Sequence, residues 1–106
     1  LFPYTTLFRS DQIELLETLV RKKYNIIISA IAAYPLNESW LGRKLDSKMI
    51  SELKALTGVN PAGEGGEFES LVLNAPMFKR EIKIIESEKE YDNHAGVFIV
   101  KEADLR

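Results

Sequence analysis

Three carboxylates, Glu64, Glu67 and Glu69, stand close together in the stretch GVNPAGEGGEFESLVLNAP of residues 58–76. Clustered acids repel one another unless a cation, a basic side chain or a proton offsets the charge, so this composition points to a positive ligand or partner. Glycine enters positive-φ backbone conformations at little steric cost, and Gly63, Gly65 and Gly66 surround the acids. Residues 62–66 can therefore bend tightly and let a ligand approach the main chain at Gly65 and Gly66. Glu67 and Glu69 share one face if a strand begins there, because side chains alternate along an extended chain. The plain alternative is a solvated surface turn, since loops are exposed and polar by default.

Several chemistries are excluded by residue type. No GxxxxGK[ST] occurs, and the loop carries the wrong sign of charge for a phosphate cradle. The acids lack the alternating ligand pattern of a calcium loop. The chain has no cysteine and one histidine, His94, so it offers neither a thiol nucleophile nor a two-histidine metal set, and no metal site is expected. A net charge of −2 with no Lys/Arg-rich run leaves no electrostatic footprint for nucleic acid. The longest apolar run, residues 26–36, is broken by Ser29 and Pro35 and is far shorter than the ~20 residues that span a bilayer.

The 106 residues, 45% hydrophobic and 28% charged, suffice for one compact domain with a single core. Residues 11–23 read as an amphipathic helix. Ser10 or Asp11 caps it, Ile13, Leu16, Leu19 and Val20 fall at helical spacing, and Arg21, Lys22 and Lys23 suit the negative end of its dipole. Asn25 ends that helix. Ile26, Ile27, Ile28, Ala30, Ile31 and Ala32 are then apolar on both faces, as in a strand covered on both sides, and Pro35 stops them. In the turn that follows, Trp40 and Leu41 are expected on the core and Gly42 at a close bend. Arg43 can serve the acidic loop, clamp a ligand anion with its bidentate fork, or lie on the surface. Asp46 or Ser47 caps a second helix over 48–56, with Met49, Ile50, Leu53 and Leu56 on its apolar side and Thr57 and Gly58 at its end. A strand over 68–73 is closed by Pro76, and residues 80–101 read as an antiparallel hairpin with His94 as a turn residue near its tip. The expected fold class is α/β, with α+β open: one mixed sheet with the helices packed on it.

The segment GEGGEFESLVLNAPMFKREI resembles the signature of the diphthine–ammonia ligase family, which carries a GEGGE-type loop, an aromatic, an apolar strand and then Ala-Pro and Phe-Lys. Trp40-Leu41-Gly42-Arg43 with Leu45-Asp46 resembles the same family's upstream segment, so the resemblance covers residues 11–106. Asn74 departs from it, standing where many relatives have aspartate. The resemblance implies a cytoplasmic enzyme that uses ATP, with Mg, to activate the carboxylate of diphthine, a modified histidine of translation elongation factor 2, as an acyl-adenylate that ammonia then converts to the amide. In that family the nucleotide belongs to an N-terminal ATP-pyrophosphatase domain with a Ser-Gly-Gly-Lys-Asp-Ser loop, absent from this sequence. Residues 11–106 are then expected to be the C-terminal, substrate-side domain of a ligase, inactive alone and binding no nucleotide itself. Under this resemblance Glu64, Gly65, Gly66 and Glu67 would line the acceptor or ammonium site, with Glu64 or Glu67 as the candidate catalytic base that takes a proton from ammonium and with Glu69, Arg43 and Trp40 in support. Residues 1–10, LFPYTTLFRS, resemble a translated sequencing adapter and are expected to be non-native. Two further readings stay open: an amide ligase for another carboxylate, and a non-catalytic binding or dimerisation module, either of them free to form homo-oligomers.

Overall fold

A computed structural model of the chain describes residues 9–56, 61 and 67–106, and the backbone alone of residues 9 and 10. In chain order it contains helix α1 (Arg9–Arg21), strand β1 (Asn25–Ile31), a short 3-10 turn (Glu38–Trp40), helix α2 (Ser47–Ala55) and strands β2 (Phe68–Asn74), β3 (Ile82–Asp92) and β4 (Ala95–Leu105). This is the helix–strand–helix, strand and hairpin order expected of an α/β domain with its helices on one sheet. The expected loop over 62–66 and the helix end at Thr57 and Gly58 lie outside the described residues.

Helix α1 begins earlier than its candidate caps suggest, so Ser10 and Asp11 sit inside its first turn, where the Asp11 carboxylate still meets the positive end of the dipole. It also ends two residues early, for a local reason. Lys23 takes a left-handed conformation (φ 64°), its N–H bonds Val20 O (3.0 Å), and Tyr24 N–H bonds Leu19 O (3.1 Å). That paired pattern closes helices, ordinarily with glycine at the left-handed position. Helix α2 starts as its sequence indicates: the Asp46 carboxylate accepts from Met49 N–H at 2.8 Å.

Strand order is β2-β1-β4-β3, and every pairing among these strands is antiparallel, so the sheet is not the mixed one expected. The reason is the path between β1 and β2. The chain first runs back alongside β1, bonding Gly42 N–H to Ile28 O (2.8 Å), Ile28 N–H to Arg43 O (3.0 Å) and Leu45 N–H to Ile26 O (2.8 Å). Helix α2 therefore starts at the end of the sheet where β1 starts, and β2 enters at the far end, Phe68 opposite Ile31, and runs down. Strand β4 reaches β1 only at Ala30–Val97 and Ile31–Gly96, because residues 42–45 occupy the lower half of that edge.

Both helices cover one face. Ile13 and Leu16 of α1 and Met49, Ile50 and Leu53 of α2 join Ile26, Ile28, Ile31, Leu36, Trp40, Leu41, Leu45 and Phe68 in a single core. Ile27, on the opposite side of β1, is also buried, but among the described residues no helix lies on that face, so the second covering layer expected of this strand is not seen. The β3–β4 hairpin closes through Asn93 and His94, both at positive φ (48° and 65°), the geometry that matches the right-handed twist of the flanking strands. Among the described residues, no helix is long and apolar enough to cross a membrane.

Candidate functional site

The first part of the site is the elbow at residues 40–43. The Asn37 side chain accepts from Ser39 N–H (3.0 Å) and starts the 3-10 turn, which drives Trp40 and Leu41 into the core, 8% and 2% exposed. Gly42 then turns at φ 77°, directly under the ring of Phe98. A β-carbon at Gly42 would stand 2.6 Å from Phe98 Cε1, so glycine is required there for space as well as for conformation.

The bend delivers Arg43 onto Trp40, its guanidinium carbon 4.6 Å from the indole centroid, a cation–π stack. Its two terminal nitrogens bond the two carboxylate oxygens of Glu52 on α2, Nη1 to Oε1 at 3.2 Å and Nη2 to Oε2. The Arg43 hydrogen bond, reinforced by its charge, holds the Glu52 carboxyl below the ordinary glutamate range against the opposing cost of its burial. Among the described residues Arg43 is thus committed to Glu52, and the guanidinium fork is already filled. Nothing in the sequence marks Glu52 as its partner. The pair is nine residues apart, follows neither helical nor strand periodicity, and forms only because α2 folds back over the elbow.

The second part lies at the upper end of the sheet, where β1 ends and β2 begins. Ala32 N–H bonds Glu67 O at 2.9 Å, which fixes the entry of β2 and places Glu67 beside the end of β1. One carboxylate oxygen of Glu67, Oε2, is shut off from solvent, whereas Glu69 is exposed on the far side of buried Phe68. Glu64, Gly65 and Gly66 lie outside the described residues. The hairpin tip is at the same end. His94 is more than a turn residue: its Nδ1 stands 2.9 Å from Leu36 O and its ring meets Tyr34 edge-on at 5.2 Å, across a Tyr34–Pro35 peptide that is cis. A carbonyl can only accept, so Nδ1 carries the proton of this bond. Asn74 sits at the opposite, lower end of β2, paired across the strands with Asn25 and donating from Nδ2 to Glu81 Oε2 at 3.4 Å. The structure therefore brings Trp40 and Arg43 together as one unit, whereas Glu67 is half-buried at the entry of β2 and Glu69 is exposed two residues further on.

Two helices on one face of an antiparallel sheet, an arginine elbow woven into its central edge and a carboxylate-bearing strand entry define a small two-layer α/β domain with one sheet face largely open. The chain belongs to the diphthamide synthase C-terminal domain family, whose model matches residues 11–105. It is 37% identical over 93 residues to the diphthine–ammonia ligase of Schizosaccharomyces pombe, covering 85% of this chain and 15% of that protein. The corresponding figures are 34% over 99 residues for the Bos taurus protein of the same name, covering 91% and 37%, and 34% over 89 residues for the Homo sapiens one, covering 81% and 33%. The chain thus spans well under half the length of these relatives.

Proposed function

We propose that this chain is the acceptor-side domain of an ATP-dependent ligase that converts the carboxylate of diphthine on translation elongation factor 2 to an amide with ammonia, in the cytoplasm. The observation that carries this reading is the family match across residues 11–105, together with relatives named diphthine–ammonia ligase. ATP, with Mg, would be held by the ATP-pyrophosphatase part outside this chain and would supply the leaving group, AMP, that ammonia displaces from the activated carboxyl. The work assigned to residues here is electrostatic. The ammonia donor is ammonium and diphthine bears a trimethylammonium group, so carboxylates at the upper end of the sheet attract both reactants. Glu67, with one oxygen shielded from water, and Glu64 beside the glycines are assigned the proton taken from ammonium, with Gly65 and Gly66 giving close backbone access. Arg43, stacked on Trp40 and anchored by Glu52, holds the elbow that carries β1.

The test replaces the corresponding segment of the fission-yeast enzyme with residues 11–105 and follows the carboxylate-to-amide change on diphthine-bearing elongation factor 2 by mass spectrometry. The chimera is expected to form the amide, and Glu67→Gln or Glu64→Gln within it to lower turnover by about 10²-fold or more while sparing ATP binding. A folded, ATP-binding chimera that makes no amide removes the ligase reading. Unchanged turnover in both glutamine variants reduces the loop to a turn.

A further inference from the structure

Forming an amide from an activated carboxyl group and ammonium releases two protons. Ammonium must lose one before its nitrogen can attack, and the tetrahedral adduct, which carries that nitrogen as a positive centre, must lose another before a neutral amide is left. Glu67 or Glu64 is assigned the first proton, and the second has no acceptor yet. Imidazole is the side chain suited by its ordinary range to take and release a proton near neutral pH. The chain has one histidine, His94.

The fold does more with His94 than close a hairpin. Its main-chain N–H donates to the hydroxyl of Tyr91 at 3.1 Å, and Tyr91 itself packs on the core. Its ring is held from the other side, where Nδ1 donates at 2.9 Å to the carbonyl of Leu36, a residue wholly buried. The ring of Tyr34, edge-on at 5.2 Å, supports the same orientation. Because Nδ1 carries the proton of that bond, the neutral ring keeps its lone pair on Nε2, and Nε2 has no hydrogen-bond partner among the described residues. The residue is half-buried rather than enclosed. An imidazole held this way accepts a proton at Nε2 without moving, since Nδ1–H donates to Leu36 O in both charge states and more strongly in the charged one.

The register sets His94 at the same end of the sheet as Glu67. Ile31 pairs with Phe68 on one side and with Gly96 on the other, and Ala32 N–H bonds Glu67 O. Continuing both ladders by one residue brings Glu67, Ala32 and Ala95 into line, with His94 next along the tip. Two strand intervals, about 10 Å, separate the main chains of Glu67 and His94, a span across which two side chains reach one small acyl group.

We propose, resting on the ligase reading above, that Nε2 of His94 takes the second proton. Ammonia, freed at Glu67 or Glu64, adds to the activated carboxyl carbon. Nε2 accepts a proton from the nitrogen of the adduct, the oxyanion pair re-forms the carbonyl, and the carbon–oxygen bond to phosphate breaks as AMP departs. The imidazolium then returns its proton to water, so no bond to the protein forms and no further reactant is consumed.

Two measurements test this. In the fission-yeast chimera described above, His94→Asn is the informative variant. The asparagine amide donates to Leu36 O in place of Nδ1 and tolerates the left-handed backbone (φ 65°), so the variant keeps the clasp and removes Nε2. It is expected to leave the melting temperature, ATP–pyrophosphate exchange and the acceptor KM unchanged and to lower kcat for amide formation about 10²-fold, with part of the loss restored by added imidazole. Wild-type kcat in His94→Asn reduces His94 to a clasp and overturns the proposal while the ligase reading stands. A lowered kcat in an enzyme that amidates some other carboxylate removes the diphthine reading and leaves the His94 assignment standing. In the second measurement, the ring nitrogens of His94 in the chain are read by proton–nitrogen correlation NMR. The neutral ring is expected to carry its proton on Nδ1, and a proton on Nε2 instead overturns the proposal whatever the acceptor.

Discussion

Gly42→Ala is the substitution for which the structure gives the most definite cost. Two penalties add. An alanine held at φ 77° lies in the left-handed region, which costs an L-residue about 1–2 kcal/mol. Its β-carbon would stand 2.6 Å from Phe98 Cε1 and 2.8 Å from Cδ1, so the ring must retreat by about 0.8 Å to reach ordinary contact at 3.4 Å. Phe98 packs against the core from β4, and forcing such a side chain off its position costs about 1–3 kcal/mol. The expected total is about 2–5 kcal/mol, a large part of the ~5–15 kcal/mol that holds a domain of this size folded. Equilibrium urea unfolding of wild type, Gly42→Ala, Phe98→Ala and the double variant separates the two parts. In the Phe98→Ala background the alanine should cost only its backbone share, leaving a coupling of about 1–3 kcal/mol between the sites. Gly42→Asn, whose side chain tolerates left-handed backbone, should recover part of the backbone share but not the ring clash. If Gly42→Ala unfolds within about 0.5 kcal/mol of wild type, the elbow is not packed as described and the reasoning fails.

Three further outcomes follow from named contacts. The Glu52 carboxyl, followed by NMR, should titrate below the ordinary glutamate range and return to it in Arg43→Met. Because its folded-state pKa is depressed, the stability this pair contributes is present above the unfolded pKa and lost as pH falls through the folded one, so acid unfolding of Arg43→Met should begin at higher pH. Asp46→Ala should cost about 1 kcal/mol by removing the cap on Met49 N–H, and Asp46→Asn much less, read from urea midpoints. Lys23→Gly should stabilise the chain by roughly 0.5–1 kcal/mol, since glycine takes the left-handed residue that closes α1 without strain. An unchanged or lowered melting temperature would refute that assignment.

Much of this domain is legible one segment at a time. The spacing of Met49, Ile50 and Leu53, the Asp46 cap, the apolar block Ile26–Ile28 and the turn Asn93-His94 each specify their element through interactions within a few residues. The Trp-Leu-Gly-Arg and GEGGE segments point to the family for the same reason, being contiguous. Segment boundaries were less legible: α1 ends at Arg21 rather than Lys23 because Lys23 adopts a conformation usually left to glycine.

Tertiary structure alone decided the rest. Arg43 meets Glu52 nine residues away, Gly42 lies under Phe98 from the other end of the chain, and His94 reaches Leu36 across the fold. The all-antiparallel order followed from one detour, the return of residues 42–45 along β1, which reversed the end from which β2 had to start. The end of the sheet that holds Glu67 and His94 is assembled from β1, β2 and the hairpin tip, so no window of the sequence contains it. Local hydrogen bonding and apolar periodicity are written into neighbouring residues, whereas the choice of strand neighbours depends on which surfaces close together once the core forms, and that choice placed the charges.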